Sequence, residues 1–283
     1  MTDILDHKTS PPPELLYRNR LNVRRDLRDL WGNRRLVRTL AERDIRASYK
    51  QSFFGFGWAI VTPLLTVLVF TIFFKRIGKI NTGDIPYPLF AYVGLLPWSF
   101  FTSSVSSGSG SLIFNSTILN KVYCPREVFP VAAILVEAVD TVLATAVLGL
   151  LFLYYGTAPR LTSLWVPVLI LVQLALTVGL TLAFSTAVVY VRDLKQVLGG
   201  ILQMGLFLTP VAWGIRSVPG RWRAAYCAID PLAAVIDGYR RVVLQGKAPA
   251  WNLLLPAAAT SMVVLIAGYY IFRRLEGGIA DVA

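Results

Sequence analysis

Residues 36–74 read LVRTLAERDIRASYKQSFFGFGWAIVTPLLTVLVFTIFF. In the first part Leu36, Val37, Leu40, Ala41, Ile45, Ser48 and Tyr49 fall at i, i+3, i+4 and i+7 spacing. Arg34, Arg35, Arg38, Glu42, Arg43, Arg46 and Lys50 take the opposite face. This pattern predicts a basic amphipathic helix over 34–50 that lies along a membrane surface. From residue 51 to 74 the charge stops. At ~1.5 Å per residue the run reaches ~36 Å, enough to cross a hydrocarbon core of ~30 Å. A surface helix running straight into a spanning helix fixes the depth and orientation of the chain at its first crossing. A soluble amphipathic helix before a buried core helix would give the same two patterns, but several more apolar runs follow.

Composition points the same way. The 283 residues are 55% hydrophobic without counting Gly, with a mean hydropathy of +0.58. Soluble domains reach about 45–50% only with Gly included. The N-terminal segment is polar, holds Pro11, Pro12 and Pro13, and lacks the short apolar run of a cleavable signal peptide. A net charge of +12 would suggest nucleic acid in a soluble protein. Here the cations cluster beside apolar spans, where anionic headgroups account for them, and no nucleic-acid motif is present.

Working outward, the sequence predicts an all-α integral membrane protein. Six spans are expected at about 55–75, 87–107, 129–155, 162–190, 196–215 and 251–272, with a cytoplasmic tail over about 1–32 and another over about 276–283. The second span ends in a Ser/Gly-rich stretch, 103–111, which reads as a tightly packed or irregular helix end, or as a plain loop. Residues 110–128 form a second amphipathic stretch. The third span carries Glu137 and Asp140 one helical turn apart. Ionisable groups at membrane depth must face protein or water, so they mark either a polar pathway or coupling contact, or a wet cytoplasmic end. Residues 219–246 are apolar in patches, broken by charges, Pro231 and Gly238. Such a segment predicts re-entrant half-helices before the last span.

Six crossings leave both termini on one side. That side carries 18 of the 28 Lys and Arg, so the positive-inside rule makes it cytoplasmic. Cys124 and Cys227 then lie on opposite sides and are not expected to pair. His7 is the one histidine, which excludes a His-based triad or a multi-His metal site. The Gly-Lys pairs at Gly78-Lys79 and Gly246-Lys247 lack the rest of a phosphate-binding loop. No metal site, cofactor site or catalytic residue is expected in this chain. What remains is a scaffold that moves something with energy from elsewhere.

Four motifs carry a resemblance. The first is Arg43-Asp44-Ile45-Arg46-Ala47-Ser48-Tyr49-Lys50-Gln51-Ser52 with Gly55-Phe56-Gly57-Trp58-Ala59 and Thr62-Pro63-Leu64. The second is Lys121-Val122-Tyr123-Cys124-Pro125-Arg126-Glu127-Val128-Phe129-Pro130. The third is Tyr190-Val191-Arg192-Asp193-Leu194-Lys195, and the fourth Asp230-Pro231-Leu232 with Gly238-Tyr239-Arg240. In this order the sequence resembles the ABC-2-type polysaccharide export permeases over about residues 30–275. It departs at Cys124, where the family usually has an aromatic, and at Asp230, where it usually has Asn.

The resemblance implies a homodimer bound to two copies of a separate Walker-motif ATPase, which would hold ATP and Mg. It implies export of an undecaprenyl-type lipid-linked polysaccharide across the inner membrane of a bacterium. The helix at 34–50 would pack on the ATPase as well as on lipid. Arg192, Asp193, Leu194 and Lys195 would form the ATPase coupling turn, 110–123 the cytoplasmic gate, and Asp230, Pro231, Tyr239 and Arg240 part of the re-entrant exit. Sugars stack on aromatic rings and hydrogen-bond to hydroxyls, so Phe53, Phe54, Trp58, Tyr92, Trp98, Phe100 and Phe101 are channel candidates. Each could equally be a lipid-facing belt aromatic. Arg46, Lys50 and Lys121 are candidates for the lipid pyrophosphate at the gate, or for ordinary headgroup contact. The bias of 21 Arg to 7 Lys is common in high-GC genomes, and through that it leans the expected cargo toward an O-antigen or cell-wall galactan-like chain over teichoic acid. Alternatives are an ABC-2 permease for another lipid or drug, an integral membrane glycosyl- or acyltransferase using Glu137 and Asp140, and a passive channel.

Overall fold

The computed structural model describes residues 23–50, 57–77, 85–119, 124–157 and 160–277. Among them the protein is all-α, with no strand. Helix α1 (Val23–Gly32) leads into α2 (Arg34–Lys50), and Asn33 caps the joint by accepting the Leu36 and Val37 amides on its carbonyl. Val37, Leu40 and Ala41 bury the apolar face of α2 against Leu112, Phe129 and Phe272. That is the face the i, i+3, i+4 spacing selected. Arg38 pairs with Glu42 on the open face at 2.7 Å.

Helix α3 (Trp58–Phe70) passes into a π-helical turn (Thr71–Ile77), and Pro63 sits within it. Helix α4 (Tyr87–Phe114) is the centre of the protein. Its apolar and small polar residues are spread round the axis and it is largely buried, as befits a helix surrounded by others. Helices α5 (Ser116–Leu119), α6 (Val128–Tyr154), α7 (Val166–Tyr190, entered through a 3-10 turn at Leu161–Trp165) and α8 (Leu194–Leu208) follow. Then come α9 (Arg223–Ile229), α10 (Pro231–Tyr239) with a π-helical turn (Arg240–Leu244), and α11 (Trp251–Glu276).

Among the described residues, four helices are long and apolar enough to cross a membrane: Tyr87–Phe114, Val128–Tyr154, Leu161–Tyr190 and Trp251–Glu276. Ile60–Phe74 and Leu194–Leu208 are apolar but shorter. Of the readings open for the Ser/Gly-rich stretch 103–111, the structure has the tightly packed helix end and not the loop: α4 runs through it to Phe114. The small residues let neighbours approach, with Gly108 against Thr181 and Gly110 against Phe114 and Lys195. The helix expected over 196–215 stops at Leu208. Beyond it Thr209 is extended, and the carbonyls of Pro210, Val211 and Trp213 are taken by Arg240 instead of a helix.

Two devices hold the bundle. On one, Gly179 of α7 and Gly268 of α11 meet so closely that a Cβ on either would fall inside the other helix's backbone. This is the small-residue crossing that lets backbones touch in a membrane. On the other, Arg273 near the end of α11 is buried and pairs with Asp26 of α1 and Glu276, both at 2.6 Å, and with Glu127 just before α6. Tyr269 donates to Asp26, and Arg126 donates to the Glu276 carbonyl. One guanidinium thus ties the first described helix to the last. Cys124 lies beneath α2, and burial pushes its thiol pKa up, though the Arg126 cation nearby pulls it down.

Candidate functional site

Among the cavities that α4 lines, two share a wall. The inner one, about 330 Å³, opens between α3, α4 and α6. Trp58, Tyr92 and Phe100 give its aromatic wall, and Ser99, Ser103, Glu137 and Asp140 its polar wall. The second, about 420 Å³, lies under α2 and is bounded by Arg43, Asp44, Ser107, Ser111, Asn115 and Glu137. Glu137 lines both, so the cavities meet at its side chain. The order from α2 inward follows from the helix itself, because Asn115 is at the C-cap of α4 and Tyr92 is near its start.

The site's supports are local. Tyr92 is fully buried and donates its hydroxyl to the Ala144 carbonyl at 2.8 Å, which fixes α4 to α6. Arg43 reaches from α2 to the Asn115 amide oxygen at 2.8 Å and pairs with Asp44 at 2.7 Å. Asn115 in turn donates to the Ser111 carbonyl at 2.8 Å. The interface helix is therefore clamped to the end of α4 at the mouth of the second cavity.

The channel candidates divide. Trp58, Tyr92 and Phe100 come together at the inner cavity. Trp98 and Phe101 pack with each other, ring centroids 6.1 Å apart, and Trp98 fills the space above Gly205 of α8. Phe53, Phe54 and Lys121 lie outside the described residues, as does part of the 110–123 gate. Arg46 is exposed on α2, and the Lys50 backbone ends that helix. Arg192 and Asp193 are exposed in the turn between α7 and α8, where Asp193 is the α8 N-cap and Leu194 its first residue. Lys195 lies 4.0 Å from the centroid of the Phe114 ring.

The re-entrant candidates are pinned into the bundle. Asp230 accepts the Thr209 hydroxyl at 2.7 Å, and Pro231 starts α10 beside it. Tyr239 donates to Gln173 at 3.2 Å, and Gln173 donates to the Pro97 carbonyl at 2.9 Å. Arg240 is 2% exposed and donates to four carbonyls: Phe90 at 3.2 Å, Pro210 at 2.6 Å, Trp213 at 2.9 Å, and Val211. Its guanidinium also lies 3.6 Å from the Phe90 ring centroid. Gly94 leaves the space for it, since a Cβ there would be 2.5 Å from the guanidinium.

A profile of the ABC-2 type transporter family matches residues 35–244, from the start of α2 to the end of the π-helical turn after α10. The chain belongs to the ABC-2 type transporter family. Within this family it is 30% identical over 253 residues to the O-antigen export system permease protein RfbA of Myxococcus xanthus, covering 88% of this chain and 96% of that protein. It is 28% identical over 250 residues to the protein of the same name in Klebsiella pneumoniae, covering 87% and 94%. It is 25% identical over 249 residues to the polysialic acid transport protein KpsM of Escherichia coli, covering 85% and 93%. This ABC-2 chain is thus a multi-pass membrane protein whose family match contains both cavities, the turn at 192–195 and the Arg240 cage.

Proposed function

We propose that this ABC-2 chain is the transmembrane permease subunit of an ATP-driven exporter of undecaprenyl-type lipid-linked polysaccharide, with an O-antigen or cell-wall galactan-like cargo. The observation that carries the reading is the likeness to O-antigen export permeases, which runs the length of both proteins. In this reading the chain forms a homodimer in a bacterial inner membrane with six crossings and both termini in the cytoplasm. Two copies of a Walker-motif ATPase bind the exposed turn Arg192–Lys195 and the face of α2, and hold ATP and Mg. The cytoplasmic gate, with Arg46, Lys50 and Lys121, meets the pyrophosphate. Aromatics and hydroxyls of α3, α4 and α6 meet the sugar, and the α9–α10 segment with Asp230, Pro231, Tyr239 and Arg240 borders the exit.

The test is purification of the tagged chain from its own membranes with every co-purifying protein identified, together with a deletion strain. A near-equimolar ATPase and lipid-linked glycan building up inside the deletion strain are the expected results. A chain that purifies alone, from a strain whose surface glycan is unaffected by the deletion, overturns the reading.

A further inference from the structure

We propose that a groove between α6 and α7 holds one acyl chain of a net-anionic bilayer phospholipid, with its phosphate on Arg160. The proposal concerns the surrounding membrane and holds for any cargo. The groove has a volume of about 550 Å³, with Val93 and Pro97 of α4 also in its wall, and borders the inner cavity at Phe100 and Thr141. Val142 of α6 and Ile170 of α7 line it and are exposed, so it opens sideways, toward the hydrocarbon around a spanning bundle. Among the described residues lining it, none is charged and four are polar, and all four are satisfied within the protein. Thr141 donates to the Glu137 carbonyl at 2.7 Å and Thr145 to the Thr141 carbonyl at 2.8 Å. Gln173 and Tyr239 are bonded to Pro97 and to each other, as described above. Hydrocarbon is the occupant that such a wall matches. The lining runs along α6 from Ala138 to Phe152, about 21 Å. One leaflet of a ~30 Å core is about 15 Å deep, so a single acyl chain lies within the groove. A helix of that length, about 10 Å across, needs about 1,600 Å³, some three times the space. An undecaprenyl chain is longer than the groove.

The groove has a polar end. Phe152 and Val243 line it and also line a cavity of about 900 Å³ at the end of the bundle away from α2. Leu89 near the start of α4, Arg160 and Thr162 at the entry to α7, and Gln245 after the π-helical turn are in its wall. This end is at headgroup depth. Trp165 and Trp251 meet edge to face there, centroids 5.1 Å apart, and both are exposed, as is Tyr154 at the end of α6. Among the described residues lining the cavity, Arg160 is the one charged group, and no carboxylate shares the wall with it. Gly246, at φ +66°, lets the Arg160 stem lie on the loop, since a Cβ there would be 3.2 Å from Arg160 Cγ. Thr162 donates to the Val242 carbonyl at 2.6 Å and ties the entry of α7 to the same turn. A cation held at the mouth of an apolar groove matches a phosphate carried on a hydrocarbon chain.

The experiment uses the full chain, purified and reconstituted in bilayer discs of phosphatidylethanolamine. A trace of phosphatidylglycerol or of phosphatidylethanolamine with a photoreactive acyl chain is added, and labelled peptides are mapped by mass spectrometry. The phosphatidylglycerol probe should label the α6 and α7 walls of the groove about fivefold more than the phosphatidylethanolamine probe, the worth of one cation near an anionic headgroup. Arg160→Gln should erase that difference, while Arg221→Gln, which removes an exposed cation outside the groove, should keep it. Gly149 lines the groove with open space around it, so Gly149→Trp should fill the groove and Gly149→Ala should not. Labelling of Gly149→Trp by both probes should fall to that of the exposed face of α11 at Val263 and Ile266. Equal labelling by the two probes in the parent chain, an undiminished difference in Arg160→Gln, or full labelling of Gly149→Trp overturns the site. So does loss of the phospholipid label on adding undecaprenyl phosphate, which would give the groove to a cargo lipid. Disulfide dimers of Gly149→Cys chains, with Cys124 and Cys227 replaced by Ala, would put a second copy there and overturn it too.

Discussion

Replacing Arg240 by Met should cost more stability than any other single change in the α9–α10 segment. Arg240 is buried, and its guanidinium is the donor for the carbonyls of Pro210, Val211 and Trp213 in the loop after α8. The Phe90 carbonyl loses less, because it belongs to α4 and keeps a helical partner. Three loop carbonyls left without a donor cost about 1–1.5 kcal/mol each, and the lost contact with the Phe90 ring about 1 kcal/mol. Removing a buried charge returns part of this, so the net loss is about 3 kcal/mol. At about 2–4 °C per kcal/mol, the melting temperature of the purified chain falls by about 6–12 °C. Arg240→Lys keeps the charge but not the planar fork, and should fall between. The loss is local, so trypsin should cut sooner at Arg216 and Arg221. Arg240→Met melting within about 1 °C of the parent, with unchanged cleavage there, refutes the account of this loop.

Four more outcomes follow from the same packing. Gly268→Ala should lower stability by about 1–3 kcal/mol or more by forcing α7 from α11, whereas Gly199→Ala, with open space around it, should be neutral or gain up to about 1 kcal/mol in thermal unfolding. Arg273→Gln leaves Asp26, Glu127 and Glu276 without their shared cation, costs about 3–5 kcal/mol, and should release α1 to trypsin at Arg24 and Arg25. Tyr92→Phe loses one buried hydrogen bond to Ala144 and about 1 kcal/mol, and because the ring remains in the cavity wall, export should persist. Asp193→Arg changes an exposed side chain, so melting should hold within about 1 °C while ATPase co-purification falls, if the turn is the coupling surface.

Periodicity made the helices legible because each long helix satisfies its own backbone. The buried face of α2 came from spacing, the spans at α4, α7 and α11 from uncharged length, and the span at α6 from an apolar run that carries Glu137 and Asp140. The end of α8 was half legible: Pro210 favours extended backbone at Thr209, but the arginine 30 residues on that takes the loop carbonyls lies outside any local window. The Ser/Gly stretch was ambiguous for a similar reason. Serine and glycine disfavour a helix in isolation, and only Thr181, Phe114 and Lys195 packed against them show what the small residues are for. Glu137 and Asp140 could be marked as costly in a membrane, but that Ser99 and Ser103 of α4 share a cavity wall with them is a tertiary fact. In sequence, Arg273 is simply the first charge after the last span. Its burial among three carboxylates from three parts of the chain is a tertiary fact, and no local window contains it. A charge beside a span therefore has two readings, a headgroup anchor or an internal tie. The distinction is whether distant groups come to meet it: carboxylates from α1 and the entry to α6 meet Arg273, and carbonyls of α4 and of the loop after α8 meet Arg240.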